Sequence, residues 1–375
     1  MLEIKRTISC RELVDKQVKP VTATVLGELA GAETYKRSKP FYLDTEYLSV
    51  ASKDYFDALL GQLTTQCEPT HLFEFRNASV VGQGAVILAD GSLLHDSVAE
   101  FLNHAQKPEG LEGSLDKMWL EVRGDPLAGT TVLLKRPWYR NFGHFLVDLM
   151  PILPSLYAAG VDIDNILFGD IGPGPLQDIM VACAKFYYPG ADLYFADDIN
   201  PLNIKNLLYV QPVHVPPITK HPAALRHTRN AAFGIFAEGN GFDPAQRKLY
   251  ISRQNASQRH IANHREMEDF LRSQGFFVFY PEDHSFGQQI AAFRQAEVIV
   301  GAKGAAFTNL LFCQPDCHAL LFSASQFIDP FFWDVAAFSG VQYSEIFCMS
   351  EEGELPSKAD LSVNLGKLKH FLSLI

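Results

Sequence analysis

The run Arg140-Asn141-Phe142-Gly143-His144-Phe145-Leu146-Val147-Asp148 sets an imidazole and a carboxylate four residues apart. On a helix that spacing puts both on one face. A carboxylate beside an imidazole fixes its tautomer and raises its basicity. Either His144 or Asp148 could then take a proton from a substrate hydroxyl. The plain alternative is a helix-start histidine held by a nearby aspartate, with no chemistry. A second group lies between Arg253 and Arg265, where three arginines and two histidines occur without one acid. Arginines there suit a phosphate, through permanently charged, bidentate contacts, unless they are simply a solvated basic face. The third is Gly301-Ala302-Lys303-Gly304-Ala305-Ala306-Phe307-Thr308-Asn309. A helix opening at Gly304 would offer free N–H groups and the positive end of its dipole. The small residues Gly304 and Ala305 let a phosphate come close, Lys303 adds charge, and Thr308 and Asn309 add hydrogen-bonding groups. The run is neither a Walker loop nor a Rossmann fingerprint.

Strands and helices must place these groups. Val80-Val81 and Ala85-Val86-Ile87-Leu88 flank Gly82-Gln83-Gly84, which predicts a hairpin, and Asp90-Gly91 a further turn. Trp119 to Arg123 and Thr130 to Leu134 read as strands around Gly124-Asp125-Pro126. The chain therefore starts β-rich. From Asn141 the grammar changes to alternating helix and strand. A helix to Tyr157 is bent by Pro151 and Pro154, then come a strand over Ile166–Gly169, a helix over Leu176–Phe186 and a strand over Leu193–Phe195. Pro212 to Pro222 holds four prolines and predicts a linker or crossing loop. Around it, Lys205 to Arg229 contains three histidines and no acid. A second α/β unit follows from Arg247 to Ser323. Strand Leu249–Ile251 leads into Ser252-Arg253, and strand Val298–Val300 leads into Gly301. Both aim their loops at the carboxyl end of a sheet, where open α/β folds bind ligands. Ser285-Phe286-Gly287-Gln288 is a capping-box pattern, and Leu361 to Leu372 reads as a terminal amphipathic helix.

Composition bounds the function. The chain has 375 residues, 32 Lys+Arg against 43 Asp+Glu, a net charge of −11 and 47% hydrophobic residues. That length predicts two domains, and that apolar content excludes a disordered chain. A global polyanion is a poor duplex-DNA binder, so nucleic acid is not an expected partner. No apolar run is long enough to span a bilayer, and Met1 to Cys10 has no signal-peptide core. Six scattered cysteines read as reduced core thiols, with no zinc site.

Taken together, three stretches resemble glycosyltransferase family 61. Asn141-Phe142-Gly143-His144-Phe145 with Asp148 and Pro151 is similar to the family's N-x-x-H-x-x-x-D-x-x-P region. Ser252-Arg253, Arg259, Asn263, Glu266, Phe270-Leu271 and Gly275-Phe276 resemble its central pattern. Ser285-Phe286 through Val300-Gly301-Ala302-Lys303-Gly304-Ala305 to Thr308-Asn309 and Phe312 resembles its C-terminal signature. The likeness runs from about Arg136 to Phe322. Lys303 stands where the family usually carries His, and Ala306-Phe307 replaces the usual Gly-Leu.

The resemblance implies an α/β fold of two Rossmann-like domains facing across a cleft, the GT-B type. Residues 1–220 would form the acceptor-side domain, 221–355 the nucleotide-sugar domain, and 356–375 a terminal helix packing back on the N-terminal domain. It implies an inverting, metal-independent transferase moving a hexose or pentose from a nucleotide sugar, UDP-linked, to a glycan or lipid-linked saccharide. That activity suits a bacterial cytoplasmic enzyme of surface polysaccharide or capsule synthesis, working at the inner face of the membrane. Asp148 or His144 would be the base. Arg140 and Asn141 would meet the acceptor. Arg253, Arg259, Lys303, Gly304, Ala305, Thr308 and Asn309 would hold the donor diphosphate. No cofactor and no metal are expected. The alternative is a noncatalytic glycan- or nucleotide-binding subunit of a polysaccharide assembly complex.

Overall fold

The structure is a computed structural model and describes residues 4, 6–18, 20–99, 125–215, 219–236, 241–256, 258–326, 329–350 and 359–375. The strand expected over Trp119–Arg123, the prolines at 216 and 217, and the boundary at 355/356 lie outside the described residues. The fold is mixed α/β, with parallel and antiparallel strand pairs. The chain forms two compact units: Met1–Glu33, Cys67–Pro216 and Lys220–Ala231, and then Thr34–Gln66, Pro217–Thr219 and Ala232–Ile375.

The first unit is built on one nine-stranded sheet. Its antiparallel part contains the expected hairpin: Thr70–Val81 pairs Ala85–Ile87, with Val80 opposite Val86. Gly84 turns it at φ +104°, and a Cβ there would fall 2.2 Å from the Lys135 carbonyl, so only glycine fits. Its parallel part is Leu127–Leu134, Asn165–Gly169 and Asp192–Ala196, paired in that order. Leu202–Val210 joins the two parts, antiparallel to Thr70–Val81 and parallel to Leu127–Leu134. The β-rich start and the α/β stretch are therefore one sheet rather than two layers. Phe73, Phe75, Leu133, Leu167, Leu207 and Tyr209 fill its core. Each such buried side chain contributes roughly 1.5–3 kcal/mol of transfer free energy.

The second unit has a seven-stranded sheet whose central strands, Lys248–Ile251, Val298–Ala302, His318–Ala324 and Gln342–Ser350, all run parallel. Helix His264–Ser273 ends at Gly275, at φ +81°, and helix Phe286–Gln295 starts at the predicted capping box of Ser285 and Gln288. An early segment completes this unit. Phe41–Leu43 pairs parallel to Gln342–Ser350, and the Trp333 indole donates to the Ser38 carbonyl at 2.8 Å. Arg37 and Asp334 form an ion pair with both side chains fully buried. The helix Leu365–Leu372 also belongs here, because Leu368 and Phe371 lie in this unit's core. Leu365 and Leu372 pack against the same cluster. All six cysteines are free and buried. No helix of the described residues is long and apolar enough to cross a membrane.

Candidate active site

In the first unit the candidate residues follow the carboxyl ends of the parallel strands. The expected helix from Asn141 is divided. Phe142–His144 is a single α turn, Phe145–Leu149 is π-helical, and Ile152–Ala158 resumes α after Pro151. Such π-bulges are frequent at functional sites. The Asn141 side chain caps the turn, accepting from the Gly143 and His144 amides at 2.8 and 3.4 Å. Asn141 is thus the residue that sets where His144 starts.

His144 Nδ1 lies 2.8 Å from one Asp148 oxygen, and His214 Nδ1 lies 3.2 Å from the other. An ionised carboxylate only accepts, so each Nδ1 carries its proton and each Nε2 is left basic. Burial pushes the Asp148 carboxyl up. The charge of His214 and the hydrogen bonds from both imidazoles outweigh it and hold the group well below the usual carboxylate range. Burial holds His214 below the ordinary imidazole value, against the pull of Asp148. The His144 side chain is 20% exposed, whereas those of Asp148 and His214 are 8% and 5%. Of the three, His144 is the one a substrate can reach. His214 was not singled out in the sequence. The signal for it was present, since it sits in the acid-free, histidine-bearing stretch that read as a linker.

Ligand atoms of His144, Asp148 and His214 lie within 4.8 Å of one another, so the three could hold a metal ion. The arrangement also suits a proton array, because both Nδ1 atoms lie at hydrogen-bond distance from the carboxylate and each imidazole keeps its Nε2 for a proton. One Asp-x-Asp triplet, Asp162-Ile163-Asp164, also occurs, and the metal-free expectation passed over it. Asp164 is engaged by the Thr130 amide at 2.7 Å, and the triplet precedes the amino end of strand Asn165–Gly169. It therefore lies at the edge opposite the one where such sheets bind ligands.

Arg140 is half exposed, stacks over Tyr139 and reaches Asp198 at 3.5 Å. Asp198 also pairs with buried Lys135 at 3.0 Å and accepts from the Tyr139 hydroxyl at 3.0 Å. The adjacent acids Asp197-Asp198 are thus used locally. Trp138, beside them, has φ +65° and an exposed ring stacked on His144. A bulky residue in the left-handed region carries strain of about 1–3 kcal/mol.

In the second unit three of the expected donor residues converge. The Arg253 guanidinium lies against Gly304, where an added Cβ would fall 2.0 Å from its Nη1. Arg253 is tied to the Gln258 carbonyl at 3.0 Å, and Arg259 donates to the Lys303 carbonyl at 2.9 Å. Burial, and then the neighbouring Arg259, pull Arg253 down to about 10 despite Glu282. Burial lowers Arg259 as well, against Asp329. Two crowded, half-desolvated cations beside the start of helix Ala305–Phe312 favour an arriving anion. Ala305 is partly exposed at that start.

Lys303, Thr308 and Asn309 differ from the expectation. The Lys303 ammonium turns into the core, bonding both Glu345 carboxylate oxygens at 2.9 and 3.0 Å and the Asp329 carbonyl at 2.8 Å. Ser323 and Tyr343 also donate to Glu345. Lys303 is buried, and its ammonium is engaged by Glu345. Thr308 and Asn309 are fully buried, and Asn309 donates to Gln289 at 3.0 Å. Thr308 Oγ1 and Asn309 Oδ1 are buried without a hydrogen-bond partner.

Acid should weaken this fold from neutral pH downward. Burial lowers His214, His221, His227 and His318 below the ordinary value. Below about pH 6.5 the unfolded chain takes up protons that the folded chain refuses, so stability is lost as pH falls toward the folded values. The melting temperature is expected to be lower at pH 5.5 than at 7.5, well before carboxylates such as Asp148 titrate. A flat profile across that range would contradict the burial of these rings.

Residues 142–320 match the family model described as Glycosyltransferase 61. That segment, just under half of the chain, contains His144, Asp148, His214, Arg253, Arg259 and Gly304. No curated protein matches the sequence. The match makes this chain a glycosyltransferase, acting between a sugar donor and a saccharide acceptor.

Proposed function

We propose that this glycosyltransferase is inverting and metal-independent, and moves a sugar from a UDP-sugar to a hydroxyl of a glycan or lipid-linked saccharide. The observation that carries the reading is the hydrogen-bonded array His144–Asp148–His214, in which one reachable imidazole is oriented by a buried carboxylate. His144 Nε2 takes the acceptor's hydroxyl proton. The freed oxygen attacks the anomeric carbon, and the bond from that carbon to the diphosphate oxygen breaks with its electron pair. Arg253, Arg259 and the helix start at Gly304 stabilise the charge on the departing diphosphate, usually the largest catalytic term. Asp148 stays ionised and stabilises the imidazolium. Two cations and a helix dipole do the work a metal would otherwise do. Arg140, next to Asn141 in the chain and half exposed, would meet the acceptor, while Asn141 caps the turn that carries His144.

We read the two units as the acceptor and donor domains of a GT-B type enzyme with Rossmann-like parts. Parallel strands in each unit, with the candidate residues after their carboxyl ends, support this. A cytoplasmic place at the inner membrane face and a role in surface polysaccharide or capsule synthesis rest on the family resemblance.

A thermal-shift screen of nucleotide sugars tests the donor class, because a ligand bound by the native state raises the melting temperature. UDP-sugars are expected to shift the protein in the presence of chelator. Arg253→Ala should weaken UDP binding by about tenfold or more, since a charge-assisted pair contributes about 1.5–3 kcal/mol. Gly304→Ala should weaken it too, by pushing the guanidinium aside. Undiminished affinity in both variants by calorimetry would remove this cradle from the donor site, and binding that requires manganese would overturn the metal-free scheme.

A further inference from the structure

The turn that enters the active-site helix holds a residue its backbone disfavours. Pro137 precedes Trp138, Trp138 has φ +65°, and the Tyr139 amide donates to the Arg136 carbonyl at 3.1 Å. That is the pattern of a type II turn, whose third position ordinarily takes glycine. The backbone task of Trp138 is to present its carbonyl to the Asn141 amide at 2.7 Å, which any residue can do. Glycine would do it without strain. The indole must therefore be held there for something its ring does. The ring is 40% exposed and lies near-parallel to His144, with centroids 6.3 Å apart and planes at 29°. An indole combines an apolar face with one N–H at its edge. A sugar ring offers the complementary surface, an apolar patch of C–H groups rimmed by hydroxyls.

We propose that Trp138 is the acceptor platform: it stacks on the acceptor's sugar ring and brings one hydroxyl to His144. This rests on the glycosyl-transfer reading and adds the residue that selects and orients the acceptor. Strain stored at this turn is the cost of placing a flat apolar surface beside the base, a common trade of stability for function.

The test compares wild type with Trp138→Gly and Trp138→Phe. The donors are UDP-sugars, and the acceptors are methyl glucoside, galactoside, mannoside and xyloside. Release of UDP into water and transfer to the methyl glycoside are measured together. Trp138→Gly is expected to melt no lower than wild type, because the turn relaxes. Its ratio of transfer to hydrolysis should fall about tenfold, through a raised acceptor KM, the usual scale for truncating a buried aromatic anchor. Trp138→Phe should recover most of that ratio. An unchanged ratio in Trp138→Gly overturns the proposal, since transfer and hydrolysis falling together mean that the ring only props His144. If wild type releases UDP from no sugar, the transfer reading fails instead. The platform is then decided by intrinsic fluorescence: quenching by a methyl glycoside that vanishes in Trp138→Phe supports it, and no quenching overturns it.

Discussion

His144→Ala is expected to lower sugar transfer by about 10²–10⁴-fold, the usual contribution of one positioned general base, while UDP still binds. The size follows from the geometry. His144 is the only member of the array with substantial access to solvent, and its Nδ1 proton is committed to Asp148. Its Nε2 is therefore the unprotonated nitrogen. Asp148→Asn should cost nearly as much for a different reason. An amide can present its N–H₂ to Nδ1 and so stabilise the other tautomer, leaving Nε2 protonated and useless as a base. It also removes the charge that stabilises the imidazolium. His214→Phe, which keeps the packing but deletes one donor to Asp148, should cost less than either. Steady-state rates at saturating donor, with UDP affinity measured separately, separate these effects. Near-normal turnover in His144→Ala combined with loss in Asp148→Asn would transfer the base role to Asp148.

Lys303→Met is expected to destabilise the protein by about 3–5 kcal/mol, because it strands the Glu345 carboxylate in the core. Glu345 is 1% exposed, and its oxygens are organised around the ammonium, Ser323 and Tyr343. Replacing both members, Lys303→Met with Glu345→Gln, should recover a large part of the loss, since no uncompensated charge remains. Urea midpoints of the two single variants and the double variant give the coupling directly. The same variants decide what the unusual lysine does. If Lys303→Met keeps its stability and loses UDP affinity instead, Lys303 serves the donor and the buried pairing is wrong.

Much of both units could be read from residue spacing. Ser285 with Gln288, Gly275 after its helix, and the Gly82-Gln83-Gly84 turn are local devices whose physics is complete within a few residues. The His144/Asp148 pair was legible because four residues on a helix is one turn. The π-helical stretch still keeps the two in contact. Arg253 and Gly304 were legible as separate binders, and the fold brings the guanidinium onto the glycine.

Other features depend on contacts distant in sequence. Nothing near residue 40 announces that Phe41–Leu43 will pair with Gln342–Ser350, because strand pairing is decided by which edge is open. His214 read as part of a proline-rich connection, since its partner Asp148 is 66 positions earlier (214 − 148). Lys303 shows the same dependence: a lysine beside a glycine turn suits a phosphate by its type, and the fold sets Glu345, 42 positions later, against its ammonium.

The sequence by itself determined the α/β grammar, the carboxyl-edge placement of two of the three reactive stretches and the likeness of all three to a glycosyltransferase family. Those follow from periodicity, caps and turns, which are short-range. Only the tertiary structure decided which charges face a substrate and which are used up inside. That choice separates His144 from Asp148, brings His214 to them, pairs Lys303 with Glu345 and exposes Trp138. The physical reason is that a side chain's chemistry is set by its partners and its burial, and both are properties of the folded neighbourhood rather than of the residue.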